Sequence, residues 1–153
     1  MKRAISRGSS VSVVVVLLAT VGGACEKSAQ LEAMADADQA AWKRDTSSLK
    51  ARASDLDQRL RALPAPAKDA PLASAAGRRR VEALVAGSRE SLFDLDRSID
   101  DGVREVKAAI GRNNNEGEER LTAVAETIDG YVRQQEQSVT AAEAAMTKIE
   151  EGR

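Results

Sequence analysis

The chain has 153 residues, 42% of them hydrophobic but only 2% aromatic, with single tryptophan, tyrosine and phenylalanine residues. It has no histidine and one cysteine, which excludes His-based catalytic triads, histidine metal ligands and an internal disulfide. The formal net charge is −1, and setting aside the first 24 residues, which hold Lys2, Arg3 and Arg7, leaves 20 basic against 24 acidic residues, or −4; this balance argues against nucleic acid as a partner.

Lys2, Arg3 and Arg7 precede an apolar stretch from Val11 to Val21 that runs through small residues into Cys25. A spanning helix needs about 20 apolar residues, whereas this stretch is shorter and is broken by Thr20, Gly22 and Gly23. It reads as the apolar region of a cleavable signal peptide, residues 1–24. Its end, Val21-Gly22-Gly23-Ala24-Cys25, resembles the lipobox of bacterial lipoproteins. The resemblance implies diacylglycerol on the Cys25 sulfur, cleavage before Cys25, and an acylated new N-terminus. Cys25 is thus the expected lipidation site, and the membrane, held through that lipid, the expected partner.

One position departs from the family pattern: Gly22 stands three places before the cysteine, where an aliphatic residue is usual, and Val21 lies one step further back. Small residues at Gly22 and Ala24 also satisfy the small-x-small rule of ordinary signal peptidase. The alternative is therefore a soluble secreted or periplasmic helical binding module, chaperone-like or inhibitory, with Cys25 unlipidated. A leftover thiol in an oxidising compartment has no internal partner, and its position at the cut gives it a use. One acyl chain holds weakly, but several anchor stably. Glu26 stands where inner-membrane retention signals carry aspartate, so by resemblance the expected location is the outer membrane, facing the periplasm.

Residues 25–30 read as a short tether before a helix over about 31–63. Trp42, Leu49, Leu56 and Leu63, flanked by Ala53 and Leu60, form a narrow seam on one face. Pro64, Pro66 and Pro71 then stop the helix, because each ring removes a donor and restricts the residue before it. The run Arg78-Arg79-Arg80 is smaller than the clusters of about 4–8 basic residues that bind anionic lipid, and reads as a solvated face.

A second helix is expected over about 72–111. Val81, Val85, Ser88, Leu92, Leu95, Ile99, Val103, Val106 and Ile110 recur at spacings of three and four, and the step through Ile99 and Val103 shifts the seam. Gly77, Gly87 and Gly102 each cost up to about 1 kcal/mol relative to alanine. The helix stops at Gly111-Arg112-Asn113-Asn114-Asn115, where glycine and asparagine tolerate a left-handed closure.

A third helix follows over about 116–151. Asn115 and Glu118 resemble a capping box, and Glu116, Glu118 and Glu119 suit the positive end of the helix dipole. Two lanes, Leu121, Ile128, Gln135, Ala142, Ile149 and Ala125, Val132, Val139, Met146, keep a heptad register and predict coiled-coil-like packing. Asp55–Arg59, Asp57–Arg61, Asp100–Arg104, Glu116–Arg120 and Asp129–Arg133 are acid-first pairs at four-residue spacing. Short connections between helices of similar length favour antiparallel neighbours. The expected fold is all-α, an elongated three-helix up-down-up bundle with coiled-coil-like heptad packing. The runner-up is a hairpin of the second and third helices with the first detached or recruited by a partner.

No phosphate-cradling glycine loop is present. Asp94, Asp96, Asp100 and Asp101 are dense enough to suggest a weak divalent-cation contact, but hard cations want six or more oxygens from a shaped loop. The expectation is no metal, no cofactor and no enzymatic activity. Gln135 within the third seam either specifies register or partner or sits at a wet edge. Trp42, Phe93 and Tyr131 are the candidate anchors of a partner-binding face, which leads to a non-enzymatic, membrane-anchored structural or adaptor protein whose helix faces bind an envelope protein or a second copy. The murein lipoprotein is similar in its heptads behind an acylated cysteine, but it is attached to the wall through a C-terminal lysine. Here the chain reads Glu150-Glu151-Gly152-Arg153, so attachment by that route is not expected.

Overall fold

A computed structural model of the protein describes residues 23–64 and 72–151. The signal segment before Gly23, the prolines Pro66 and Pro71, and the last two residues lie outside the described residues. Three helices account for nearly all of the rest: α1 Ala24–Ala62, α2 Leu72–Arg112 and α3 Asn114–Glu151. Their lengths of 39, 41 and 38 residues correspond to rods of about 57–62 Å at 1.5 Å per residue.

The topology is up-down-up. Lys27, Arg52 and Arg59 of α1 meet Glu118, Glu143 and Glu150 of α3 in the same order along both chains, so these two helices run parallel. Lys107–Asp36 and Arg89–Asp57 run in opposite order, so α2 is antiparallel to α1. All three pack on one another around a single core of Leu, Val, Ile and Ala, with Trp42 5% exposed.

α1 ends where the first proline requires. Leu63 leaves the helix in an extended conformation, with its N–H on the Leu60 carbonyl. The start differs from the sequence expectation: residues 25–30 are not a tether but the first turns of α1, which begins at Ala24. Gly23 is the extended residue before the helix, and the turns that follow are good helix formers tied to α3 by Lys27–Glu118 at 2.9 Å.

The α2–α3 connection also differs. A single non-helical residue, Asn113, joins the two helices, and no described residue has positive φ, so there is no left-handed closure. The cap lies two residues before the expected Asn115: the Asn113 carbonyl accepts from Gly117 N–H at 2.9 Å, and its side-chain Oδ1 accepts from Asn115 N–H at 2.8 Å. This is an asparagine N-cap serving the N2 amide. So tight a connection presses the first turn of α3 on the last turn of α2. A Cβ on Gly117 would lie 2.5 Å from Ile110 Cγ1 and 2.9 Å from its Cα, which makes Gly117 the residue that permits the turn.

The α3 seam is a heptad with one shift. Its buried line runs Gly117, Leu121, Val124, Ile128, then on to Val139, Ala142 and Met146, with Val132, Ala145 and Ile149 partly buried beside it. Val124 takes the central place expected for Ala125, which packs half-buried at the edge. The line therefore steps by four twice, through Val124, Ile128 and Val132. α2 does the same through Leu95, Ile99 and Val103, and α1 through the half-buried Asp38 and the buried Trp42 and Thr46. The Trp42–Asp129 and Lys43–Asp100 contacts bring the three shifts to one level. Such four-residue insertions locally unwind a supercoil.

Candidate functional site

Cys25 is in the first turn of α1, its thiol free and exposed. The end face around it is tightly tied. Asn114 Nδ2 donates to the Ala24 carbonyl at 2.9 Å, Lys27 reaches Asn115 Oδ1 at 3.4 Å, and Glu26 N–H bonds the Gly23 carbonyl at 2.9 Å. Glu26 lies in the first turn, where a carboxylate suits the helix dipole. The expected lipidation residue thus stands at one end of the rod, beside the α2–α3 turn.

Of the four α2 aspartates, Asp96 and Asp100 are spent on cross-helix ion pairs. Asp96 sits between Lys43 at 3.1 Å and Lys50 at 2.8 Å. Their ammonium groups, that of Lys50 foremost, hold its carboxyl below the ordinary aspartate range. Asp100 accepts from Lys43 and Gln39, both at 2.9 Å, and is depressed for the same reason, Lys43 leading. Asp101 pairs with Arg104 at 3.0 Å, and Asp94 is exposed. Among the described residues no group of three or more carboxylates or thiols is arranged to hold a metal ion.

Of the five acid-first helix pairs, Asp55–Arg59 and Asp57–Arg61 form, at 3.7 and 2.9 Å. The other three give way to different partners. Asp100 goes to Lys43, Glu116 to Arg112, and Arg120 to Glu105. Asp129 accepts the Trp42 indole Nε1–H at 2.7 Å, while Arg133 Nε bonds its backbone carbonyl. Exposed i,i+4 pairs contribute only a few tenths of a kcal/mol, so they yield readily to any other partner within reach.

The three candidate anchors separate. Trp42 belongs to the core, whereas Phe93 is 69% and Tyr131 49% exposed, on different helices. Met34, which the sequence reading passed over, is also exposed. Gln135 is half-buried with its Oε1 buried and unbonded, and the fully buried Thr46 hydroxyl is likewise unpartnered. Of the arginine run, Arg78 reaches back to the carbonyls of Leu60 and Pro64 and to Glu82, which serves the C-terminus of α1; Arg79 and Arg80 are exposed. An open groove of about 510 Å³ between α2 and α3 is lined by Glu105, Arg112, Glu116, Glu119 and Arg120 beside alanines. It lacks the large apolar walls of a small-molecule site.

Among the described residues no helix is long and apolar enough to cross a membrane. Compared with protein-family models, with curated protein sequences and with solved structures, the chain shows no match.

Proposed function

We propose that the protein is a membrane-anchored envelope lipoprotein that works without catalysis, as a structural or adaptor bundle whose helix faces bind another envelope protein or a second copy. The observation that carries this reading is the basic and apolar leader ending, through a lipobox-like segment, at the chain's single cysteine. Its location is the outer membrane, facing the periplasm. Two features of the bundle support it. Cys25 is exposed at the end of the rod rather than packed in the core, and the helix starts beside it, so the anchored end is the one that carries the α2–α3 turn.

The chemistry at the cut is also compatible with the fold. Cleavage before Cys25 removes Ala24 and with it the carbonyl that Asn114 holds at 2.9 Å. An acyl group on the Cys25 nitrogen supplies an amide carbonyl at the same place in the chain, and Asn114 keeps an acceptor. Catalysis is disfavoured because it needs groups of tuned pKa or a metal in a water-excluding site, and the carboxylates here are ion-paired along open flanks.

Intact mass of the protein purified from membranes tests the reading. The mass should exceed that of the Cys25–Arg153 polypeptide by its acyl groups, and Cys25→Ser should release the protein or leave its leader uncut. A native mass equal to the bare polypeptide refutes the anchor and leaves the soluble binding module, which Gly22 at the usual aliphatic position favours.

A further inference from the structure

Three places along the α1–α3 flank set a cation of α1 against a glutamate of α3: Lys27–Glu118 at 2.9 Å, Arg52–Glu143 at 2.7 Å and Arg59–Glu150 at 2.7 Å. In each the two residues are 91 positions apart, as the Arg52 and Arg59 hydrogen bonds also record. The same spacing in the middle of the flank sets Asp38 against Asp129 and Asp45 against Glu136. Both are like-charged. Asp38 is half-buried, and Asp129 is fixed by the Trp42 indole at 2.7 Å.

We propose that Asp38, Trp42 and Asp129 form an acid-sensitive joint between α1 and α3, in which a proton taken up by Asp38 relieves the repulsion and tightens the seam. Burial pushes the Asp38 carboxyl above the ordinary aspartate range, and the Asp129 charge pushes it the same way. The remaining charged groups do not offset this. Asp45 on α1 and Glu126 and Glu136 on α3 are also acidic, and Arg133 is engaged with the Asp129 backbone carbonyl. From α2, Asp96 and Asp100 pair with Lys43 and Lys50 of α1.

The sign follows from linkage. With its folded pKa raised, Asp38 binds more proton in the folded than in the unfolded chain, so this part of the stability falls as pH rises through the window above the ordinary value of about 3.9. Asp96, Asp100 and Glu143 have lowered folded pKa values, from hydrogen bonds with Lys50, Lys43 and Arg52 respectively. Their stabilisation is present above the ordinary carboxylate range and is lost as pH falls through those lowered values. On these groups the stability maximum lies at mildly acidic pH, where Asp38 is protonated and the paired carboxylates are still ionised. The joint is a property of the bundle and stands or falls separately from acylation of Cys25.

Trp42 is the only tryptophan and reports the joint directly. The purified full chain is titrated from about pH 8 to about pH 3, with tryptophan emission and thermal melting followed together. Emission should inflect above the ordinary aspartate pKa, with the melting temperature rising as pH falls across that inflection. Asp38→Asn should abolish the inflection and raise the melting temperature by a few degrees at about pH 7. Asp129→Asn, which keeps an acceptor for the indole, should move the inflection downward. A wild-type melting temperature that only falls from neutral pH downward overturns the proposal even if neither variant folds, and so does an inflection that survives in Asp38→Asn.

Discussion

Replacing Gly117 by alanine should destabilise the bundle, although the same change usually strengthens a helix. Gly117 lies in the first turn of α3 with a helical, negative φ, so alanine would gain up to about 1 kcal/mol of helix propensity. Against this, the new methyl would lie 2.5 Å from Ile110 Cγ1, 2.9 Å from Ile110 Cα and 3.1 Å from Ile110 N. The side-chain atom can swing aside, but the two backbone atoms belong to the last turn of α2 and move only if the one-residue turn at Asn113 opens. Overpacking costs about 1–3 kcal/mol, and contact this close to backbone belongs to the upper part of that range, about 2–3 kcal/mol, which leaves a net loss of about 1–2 kcal/mol and a melting temperature lower by several degrees. Gly87→Ala is the internal control, since a Cβ there meets nothing within 4 Å, and it should stabilise by about 0.5–1 kcal/mol. Urea unfolding followed by circular dichroism measures both. A Gly117→Ala protein as stable as wild type would refute the close approach and, with it, the one-residue connection.

Thr46→Val should stabilise the protein by about 1–2 kcal/mol, because it replaces a fully buried, unpartnered hydroxyl by a methyl of similar shape; a loss of stability in the same urea assay would mean that the hydroxyl has a partner. Ile128→Asp, at a position 3% exposed, should cost at least 3 kcal/mol or prevent folding, whereas Gln134→Asp, on the exposed face, should change stability by less than about 0.5 kcal/mol. Thermal melting separates those two outcomes.

The fold was largely legible because its signals are local. Prolines mark the first break, and the Val81 to Ile110 line can face a core only as a helix. The shift through Ile99 was visible because the apolar residues themselves step. The shift in α3 was hidden, since Val124 and Ala125 are both apolar and the alanine continues a regular heptad; only burial against Gly102, whose Cβ would lie 2.8 Å from Val124 Cγ1, decides between them. The start of α1 carried no apolar lane before Leu31, and what extends it is polar contact with residues about 90 positions away. Capping failed for a similar reason: three consecutive asparagines can each cap a helix, and the steric need of Gly117 selects Asn113. Asp38 and Asp129 could not be paired before the α1–α3 register was known. Cys25, by contrast, rests on its motif, and the fold adds only where it sits.

The level at which all three helices shift register is also where the unfavourable groups gather. Trp42 marks it, Asp38 and Asp129 flank it, and the unpartnered Thr46 and Gln135 atoms lie within two turns of it along their own helices. On either side the flank is regular, with cations at Lys27, Arg52 and Arg59 meeting glutamates. The chain's own pattern therefore offers the more stable solution, a cation at positions 38 and 45 and an aliphatic residue at 46, and the sequence departs from it only in the middle of this flank. Local departures from otherwise consistent rules concentrate where a protein does something besides fold. On that argument, and on the adaptor reading proposed above, the middle of the rod, rather than the exposed Phe93 and Tyr131, is where a change of state belongs: loosening α1 there would uncover the apolar core faces of α2 and α3.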